Sequence, residues 1–186
     1  MTMNKIKPGR EVMVVGVGLH PFGRFPDKEL GQLAIEAVLP ALKHAGVKWK
    51  DIAIAYFGHV YYQGMPIGET TLSQLGLTGV PIINVENACS SGSTAFWQAY
   101  WGITTGLYDL ALAFGAEKVP RGPVTVTAED APERYIGGDH MMAGYALRGK
   151  RYMEETGAPA SALAQVTVKA RQNATMNPFA HRKDTY

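Results

Sequence analysis

The sequence predicts an α/β fold with a mainly parallel sheet and helices on both faces, and three observations carry that expectation. Residues 12–17, Val12-Met13-Val14-Val15-Gly16-Val17, form a continuous apolar run, the pattern of a strand covered on both sides rather than one. Strand-like and helix-like segments then alternate as β-α-β-α-β-α-β, an order that implies parallel neighbours joined by right-handed crossovers. At 186 residues, 46% hydrophobic and 18% charged, the chain can bury roughly 70% of its unfolded surface, one domain's worth of material.

The first helix is the clearest element. Leu30, Leu33, Ala34, Ala37, Val38, Ala41, Leu42 and Ala45 recur at helical spacing, with Asp27 as N-cap after Pro26 and Gly46 suited to the position just past the end. Pro40 falls on the polar side with Glu29, Gln32, Glu36 and Lys43, where water compensates for the lost backbone bond, so a bent but single helix is expected. A second strand is predicted over 52–60, a short helix over 69–75, and a third strand over 81–86. Residues 90–105 then read as a helix. Ala95, Phe96, Trp97, Ala99, Tyr100, Trp101 and Ile103 cover most of its circumference, which predicts a buried helix, with Phe96, Trp97 and Trp101 in packing or a subunit contact. A fourth strand is predicted over 110–114. Beyond Val119 the alternation fades among Pro120, Gly122, Pro123, Gly137, Gly138 and Gly144, and helical patterns return only over 140–156 and 161–176.

Composition narrows the classes of partner. A net charge of +2, without a Lys/Arg cluster, argues against a nucleic-acid surface. No apolar run approaches the about 20 residues that span a bilayer, and residues 1–10 lack the apolar core of a secretory signal. The expectation is a cytoplasmic protein in a reducing compartment. One cysteine makes no internal disulfide and anchors no cysteine-rich zinc site, so no metal is expected. Gly16-Val17-Gly18 follows a strand-like run, but position 21 is Pro where a dinucleotide fingerprint has its third glycine. No Gly-x-Ser-x-Gly elbow accompanies Ser90, Ser91 and Ser93.

Cysteine chemistry is what remains. Cys89 sits in Asn87-Ala88-Cys89-Ser90-Ser91-Gly92-Ser93, between a β-branched run and a helical pattern. A helix N-terminus offers unpaired N–H groups and the positive end of the dipole, which favour a thiolate in general. Small residues in the first turn, Gly92 and Ser90 among them, leave room for a thioester carbonyl to come close. Such catalysis also needs a base. Of the five histidines, His44 falls on a helix surface and His20 and His181 in loops. His59, after a strand, is the one that could approach the cysteine, although a structural role suits it better, and His140 is a weaker candidate.

The stretch Gly79-Val80-Pro81-Ile82-Ile83-Asn84-Val85-Glu86-Asn87-Ala88-Cys89-Ser90-Ser91-Gly92-Ser93 resembles the thiolase family, in particular its sterol-carrier-protein branch. Phe57-Gly58-His59-Val60-Tyr61, Leu110-Ala111-Leu112-Ala113-Phe114-Gly115-Ala116-Glu117-Lys118 and Asn177-Pro178-Phe179-Ala180 match in family order. The resemblance implies a thiolase-like fold of which this chain is the N-terminal half: an α/β core over 1–119, an incomplete loop domain over 120–186, and a C-terminal half absent. It implies that Cys89 takes up an acyl group from a coenzyme A thioester, which is substrate rather than bound cofactor, in cleavage or condensation of a 3-ketoacyl-CoA. It also implies that the loop domain helps to bind CoA, making Arg148, Lys150 and Arg151 candidates for phosphate contacts. The activating histidine, a second cysteine and much of the oxyanion hole would come from the other half. A homodimer is expected. Two alternatives accompany this reading: a retro-aldolase acting on a steroid or aromatic acyl-CoA beside a small zinc-ribbon and OB-fold partner subunit, and a noncatalytic thiolase-like subunit.

Overall fold

A computed structural model describes residues 9–122, 124 and 132–185, which divide into two compact units, Met1–Val119 and Pro120–Tyr186. In the first unit, strands β1 (Ile54–Gly58), β2 (Ile82–Val85) and β3 (Ala111–Gly115) form a parallel sheet in the order β2-β1-β3. Tyr56 is in register with Ile83 on one side and Ala113 on the other. All five residues of β1 are buried, as the centre of a parallel sheet requires.

Helices cover both faces. Helix α1 (Leu30–Ala45) and the short α2 (Ile67–Leu72) pack on one, where Val38, Leu42, Trp49, Ile52, Ala55, Leu72 and Leu112 make the larger core cluster. Helix α3 (Ser91–Thr104) packs on the other through Ala95 and Ala99 against Ile54, Tyr56 and Val85. The predicted helix around Pro40 is a single helix, and Gly46 ends it in the left-handed conformation at φ 70°. Its start differs from the expectation. Glu29, not Asp27, is the N-cap, and its N–H donates to Gln32 Oε1 at 2.8 Å. Lys28 sets the entry just before it, donating to Glu36 at 2.7 and 2.6 Å while its carbonyl accepts from Lys118 Nζ at 2.6 Å.

Burial also tunes Tyr56. Desolvation, reinforced by neighbouring Tyr108, pushes its phenol above the ordinary range. A raised folded-state pKa means that the unfolded chain loses this proton first. The contribution is therefore full below about pH 10 and is lost as pH rises through the folded value. Tyr56→Phe is expected to flatten the alkaline decline of Tm between about pH 9 and 11, read from melting curves across that range.

Two expectations fail here. Residues 12–17 belong to no strand. Helices, not a strand edge, hold this backbone: Arg10 N–H donates to the Thr104 carbonyl at 3.0 Å, and Val17 N–H to His44 Nδ1 at 3.2 Å. Gly16 and Gly18 lie so close to the α1 backbone that a Cβ on either would strike the Ala41 or Ala37 carbonyl. Met13, Val14, Val15 and Val17 stay 53–70% exposed. The helix at 91–104 is likewise not buried all round. Its buried residues are Ser91, Ala95, Ala99, Gly102 and Thr104, while Phe96 and Trp97 are exposed, Trp97 meeting Trp101 edge to face at 5.9 Å. Small residues let α3 approach the sheet, and that approach turns the large ones outward.

The second unit contains α4 (Met141–Thr156) and α5 (Ala160–Thr175), within a residue of the predicted spans. Gly157 closes α4 at φ 69°, and its N–H donates to the Met153 carbonyl. Neither helix has a buried residue. Among the described residues, no helix is long and apolar enough to cross a membrane.

Candidate active site

Everything around Cys89 follows from how the chain leaves β2 and enters α3. A single turn of 3-10 helix, Ala88–Ser90, makes the connection. Ala88 holds it at φ 45°, the one positive φ at a non-glycine residue among those described. That conformation costs an L-residue roughly 1–3 kcal/mol and persists only where its surroundings fix it. Four hydrogen bonds do so. Ala88 N–H donates to Glu86 Oε1 at 2.7 Å, Asn87 N–H to Ser91 Oγ at 2.8 Å, Ser91 Oγ to the Ala88 carbonyl at 2.8 Å, and Asn87 Nδ2 to Thr94 Oγ1 at 2.9 Å. Ser91, 4% exposed, thus uses its hydroxyl in both directions to pin the turn that carries its neighbour.

The result is a free, exposed Cys89 two residues before Ser91, the first residue of α3. Ser90 and Gly92 flank it and are both exposed, and a Cβ on Gly92 would meet nothing within 4 Å. The first turn of α3 is therefore open on the side away from the sheet. On the sheet side it is closed. A Cβ on Gly58, the last residue of β1, would lie 2.8 Å from the Gly92 nitrogen and the Ser91 carbonyl carbon, and one on Gly115 would lie 3.1 Å from the Gly58 carbonyl oxygen. Three backbones converge behind the cysteine, and glycine is what lets them.

The other sequence candidates fall elsewhere. His59 is 5% exposed, its ring stacks on Phe57 at 5.6 Å, and its backbone N–H donates to the Val85 carbonyl at 3.1 Å. Side chains alternate along a strand. His59 therefore shares the face of Phe57, whose Cβ abuts the Gly68 position of α2, whereas Gly58 faces α3. Its buried Nδ1 has no partner among the described residues. His20 Nε2 lies 3.1 Å from Glu36, and His44 is engaged by Val17. In the second unit, His140 is the N-cap residue of α4, with Nδ1 3.8 Å from Asp139. Arg148 lies 5.1 Å over the Tyr145 ring, Arg151 pairs with Glu155 at 2.5 Å, and Lys150 is exposed. Among the described residues, no group of three or more His, Cys, Asp or Glu side chains is placed to hold a metal ion.

Sequence reasoning missed Glu86, Asn87 and Ser91 as the scaffold of the turn, and Gly58 as its backing. It missed Glu117 too, whose carboxylate accepts from Val60 N–H at 2.7 Å, Tyr61 N–H at 3.0 Å and Lys118 N–H at 3.0 Å. That carboxylate ties the loop after β1 to the loop after β3. Only Gly58 left a legible signal, a glycine closing an apolar strand run.

A family model for the thiolase N-terminal domain matches residues 12–184. The benzoylsuccinyl-CoA thiolase subunit BbsB of Thauera aromatica is 40% identical over 181 residues, covering 94% of this chain and 46% of that protein. Bovine sterol carrier protein 2 is 33% identical, covering 94% of this chain and 35% of the relative, and an acetyl-CoA acetyltransferase of Methanothermobacter thermautotrophicus is 33% identical, covering 92% and 47%. The chain spans about half the length of such relatives, or less. Among solved structures, an Ltp2-ChsH2(DUF35) aldolase superposes with a TM-score of 0.72 at 23% identity, over 89% of this chain and 44% of that one. An acetyl-CoA acetyltransferase from Syntrophomonas wolfei follows at 0.66 and 20%, over 91% and 47%. At those identities the superpositions speak for the fold, a thiolase fold, and the family match speaks for descent. The chain belongs to the thiolase N-terminal domain family.

Proposed function

We propose that this chain is the nucleophile-bearing half of an acyl-CoA acyltransferase in which Cys89 forms an acyl-cysteine intermediate. One observation carries the reading: the single cysteine is exposed on a strained turn, at the entrance of a helix whose first turn is open outward and braced from behind. Strain held by a dense hydrogen-bond network is characteristic of functional positions. The names of the relatives, a benzoylsuccinyl-CoA thiolase subunit and an acetyl-CoA acetyltransferase, support a CoA thioester as substrate.

In the degradative direction the Cys89 thiolate attacks the 3-keto carbonyl carbon of a 3-ketoacyl-CoA. The S–C bond forms first, giving a tetrahedral oxyanion, whose collapse breaks the carbon–carbon bond between C2 and C3; the departing CoA-bound carbanion takes a proton, and the thiol of a second CoA then accepts the acyl group, freeing the Cys89 thiolate. In the synthetic direction the cysteine is acylated by one acyl-CoA, releasing CoA; a second acyl-CoA loses a C2 proton to the base, and the resulting carbanion attacks the acyl-cysteine carbonyl and expels the Cys89 thiolate. Backbone N–H groups at the start of α3 are suited to holding the oxyanion of each tetrahedral intermediate. The proton-transferring base is supplied from outside this chain. Ser90 and Gly92 border the approach to sulfur, and His59 acts by packing. Residues 1–119 form the α/β core, and 120–186 a loop domain in which Arg148, Lys150 and Arg151 meet the CoA phosphates. The assembly is a homodimer, with a second type of subunit as the variant that the subunit name of the Thauera relative suggests.

The test is the intact mass of the full-length protein after brief incubation with acetyl-CoA and an acid quench. An acetyl adduct mapped to Cys89 is expected. Turnover of a 3-ketoacyl-CoA with Cys89 unmodified at every quench time refutes the acyl-cysteine route.

A further inference from the structure

The three strands run parallel, so the loops that follow them leave from one rim of the sheet, the edge at which sheets of this kind carry their sites. Cys89 stands on the loop after β2. On the same rim a single carboxylate joins the loops after β1 and β3. The ladder between β1 and β2 runs out where His59 N–H donates to the Val85 carbonyl at 3.1 Å, and the next two N–H groups, of Val60 and Tyr61, turn to Glu117 Oε2 at 2.7 and 3.0 Å. Lys118 N–H takes the other oxygen, Oε1, at 3.0 Å. Hydrogen bonds to an ionised acceptor are about twice as strong as neutral ones, so this junction is firmer than the ladder it extends.

Its place along the strands matters as much as its strength. Val60 is two residues past Gly58, Glu117 is two past Gly115, and Gly58 and Gly115 are in register. These are the glycines behind the cysteine turn. Added Cβ atoms would bring Gly58 against Ser91 and Gly92, and Gly115 against the Gly58 carbonyl, so Glu117 closes β1 to β3 just beyond the contact that backs Cys89. Lys118 anchors the junction from the other side, its Nζ donating to the Lys28 carbonyl at 2.6 Å beside the entry to α1. Burial, followed by the charges of Glu117 and Glu29, pushes the Tyr62 phenol above its ordinary range, which places a third residue of the β1 loop against the same carboxylate.

We propose that Glu117 is a positioning residue for Cys89: its carboxylate fixes the end of β1, and β1 through Gly58 fixes Ser91, Gly92 and the strained turn that carries the thiol. It acts through backbone, not on sulfur. A carboxylate is needed here rather than any polar group, because three N–H groups point at its two oxygens, whereas an amide offers one oxygen and two N–H groups of its own. Glu117→Gln therefore sets donor against donor in either orientation of the amide. The effect on rate rests on the reading of Cys89 as the nucleophile; the effect on the backbone rests on the geometry of the rim alone.

The test compares Glu117→Gln with Arg10→Ala in the full-length protein. Arg10 donates to the Ile103 and Tyr108 carbonyls, ahead of β3 and at the opposite end of the sheet, so its loss weakens the same unit without touching the rim. In Glu117→Gln, amide hydrogen exchange read residue by residue is expected to quicken by about tenfold or more at Val60 and Tyr61, and also at Asn87 and Ala88. Single-turnover acylation of Cys89 by acetyl-CoA should slow roughly a hundredfold, the scale of a displacement near 1 Å, while the half-saturating acetyl-CoA concentration stays within about threefold. Arg10→Ala should leave acylation and those four amides at parental values. Unchanged exchange at Asn87 and Ala88, equal effects from the two variants, or acylation within about threefold of parental in Glu117→Gln each overturn the inference. A parental protein that is never acylated sinks the acyl-cysteine reading by itself, and the exchange comparison then decides the role of Glu117. Should Glu117→Gln fail to fold, Glu117→Asp, which keeps the charge and both oxygens but falls one methylene short, is measured against the same criteria.

Discussion

Cys89→Ser is expected to lower acyl transfer by the full-length enzyme by roughly four orders of magnitude or more, the scale on which removing a catalytic nucleophile acts. The serine oxygen is nearly isosteric but is not appreciably ionised at neutral pH and cannot replace a thiolate. The adduct seen by mass after acetyl-CoA should vanish with it. Stability should move by no more than about 0.5 kcal/mol, because Cys89 is exposed and the turn is held by Glu86, Asn87 and Ser91 instead. The same variant separates the competing readings. An aldolase that uses other groups keeps its carbon–carbon cleavage when Cys89 is replaced, and a noncatalytic subunit shows no loss because it has no turnover to lose. If kcat on a 3-ketoacyl-CoA falls by less than about tenfold in a variant with an unchanged melting curve, the acyl-cysteine mechanism is wrong.

Much of this arrangement is legible in the residues. The helix at 30–45 reads directly because Leu30, Ala34, Val38 and Leu42 recur at helical spacing on its buried face and Gly46 marks its end. The cysteine stands out because it joins a β-branched run to a helix that opens with small residues. Other features have no local code. Nothing about alanine announces a positive φ, so the strain at Ala88 exists only once Glu86, Asn87 and Ser91 close around it. Residues 12–17 have the composition of a strand, but composition cannot supply the edge that a strand needs, and here these residues line an open cavity together with β3. The aromatic side of α3 misled for a related reason. Size suggested burial, yet the sheet selects the small residues Ala95 and Ala99 for close approach, and Phe96 and Trp97 are left exposed. His59 illustrates parity: it follows β1 on the side of Phe57, whereas Gly58, one residue earlier, faces α3.

That convergence of backbones gives the second large effect. Gly58→Ala places a methyl group 2.8 Å from the Gly92 nitrogen and the Ser91 carbonyl carbon and 2.9 Å from the Gly92 Cα, all backbone atoms that no rotamer change can move aside. The first turn of α3 must shift or β1 must bend, and overpacking of this kind costs about 1–3 kcal/mol, measured as a lower midpoint in urea with an unchanged slope. Activity should suffer more than stability. A displacement near 1 Å at a reacting group costs about a hundredfold in rate, and the turn that moves is the one carrying Cys89, so kcat is expected to fall by roughly that factor. Gly92→Ala provides the control on the other side of the same turn. Its new methyl group meets nothing within 4 Å, and alanine is the better helix former by up to about 1 kcal/mol, so the midpoint should hold or rise. If Gly58→Ala leaves both the urea midpoint and kcat at parental values, then α3 is not braced by β1 in solution, and the preorganised turn on which the cysteine's role depends is absent.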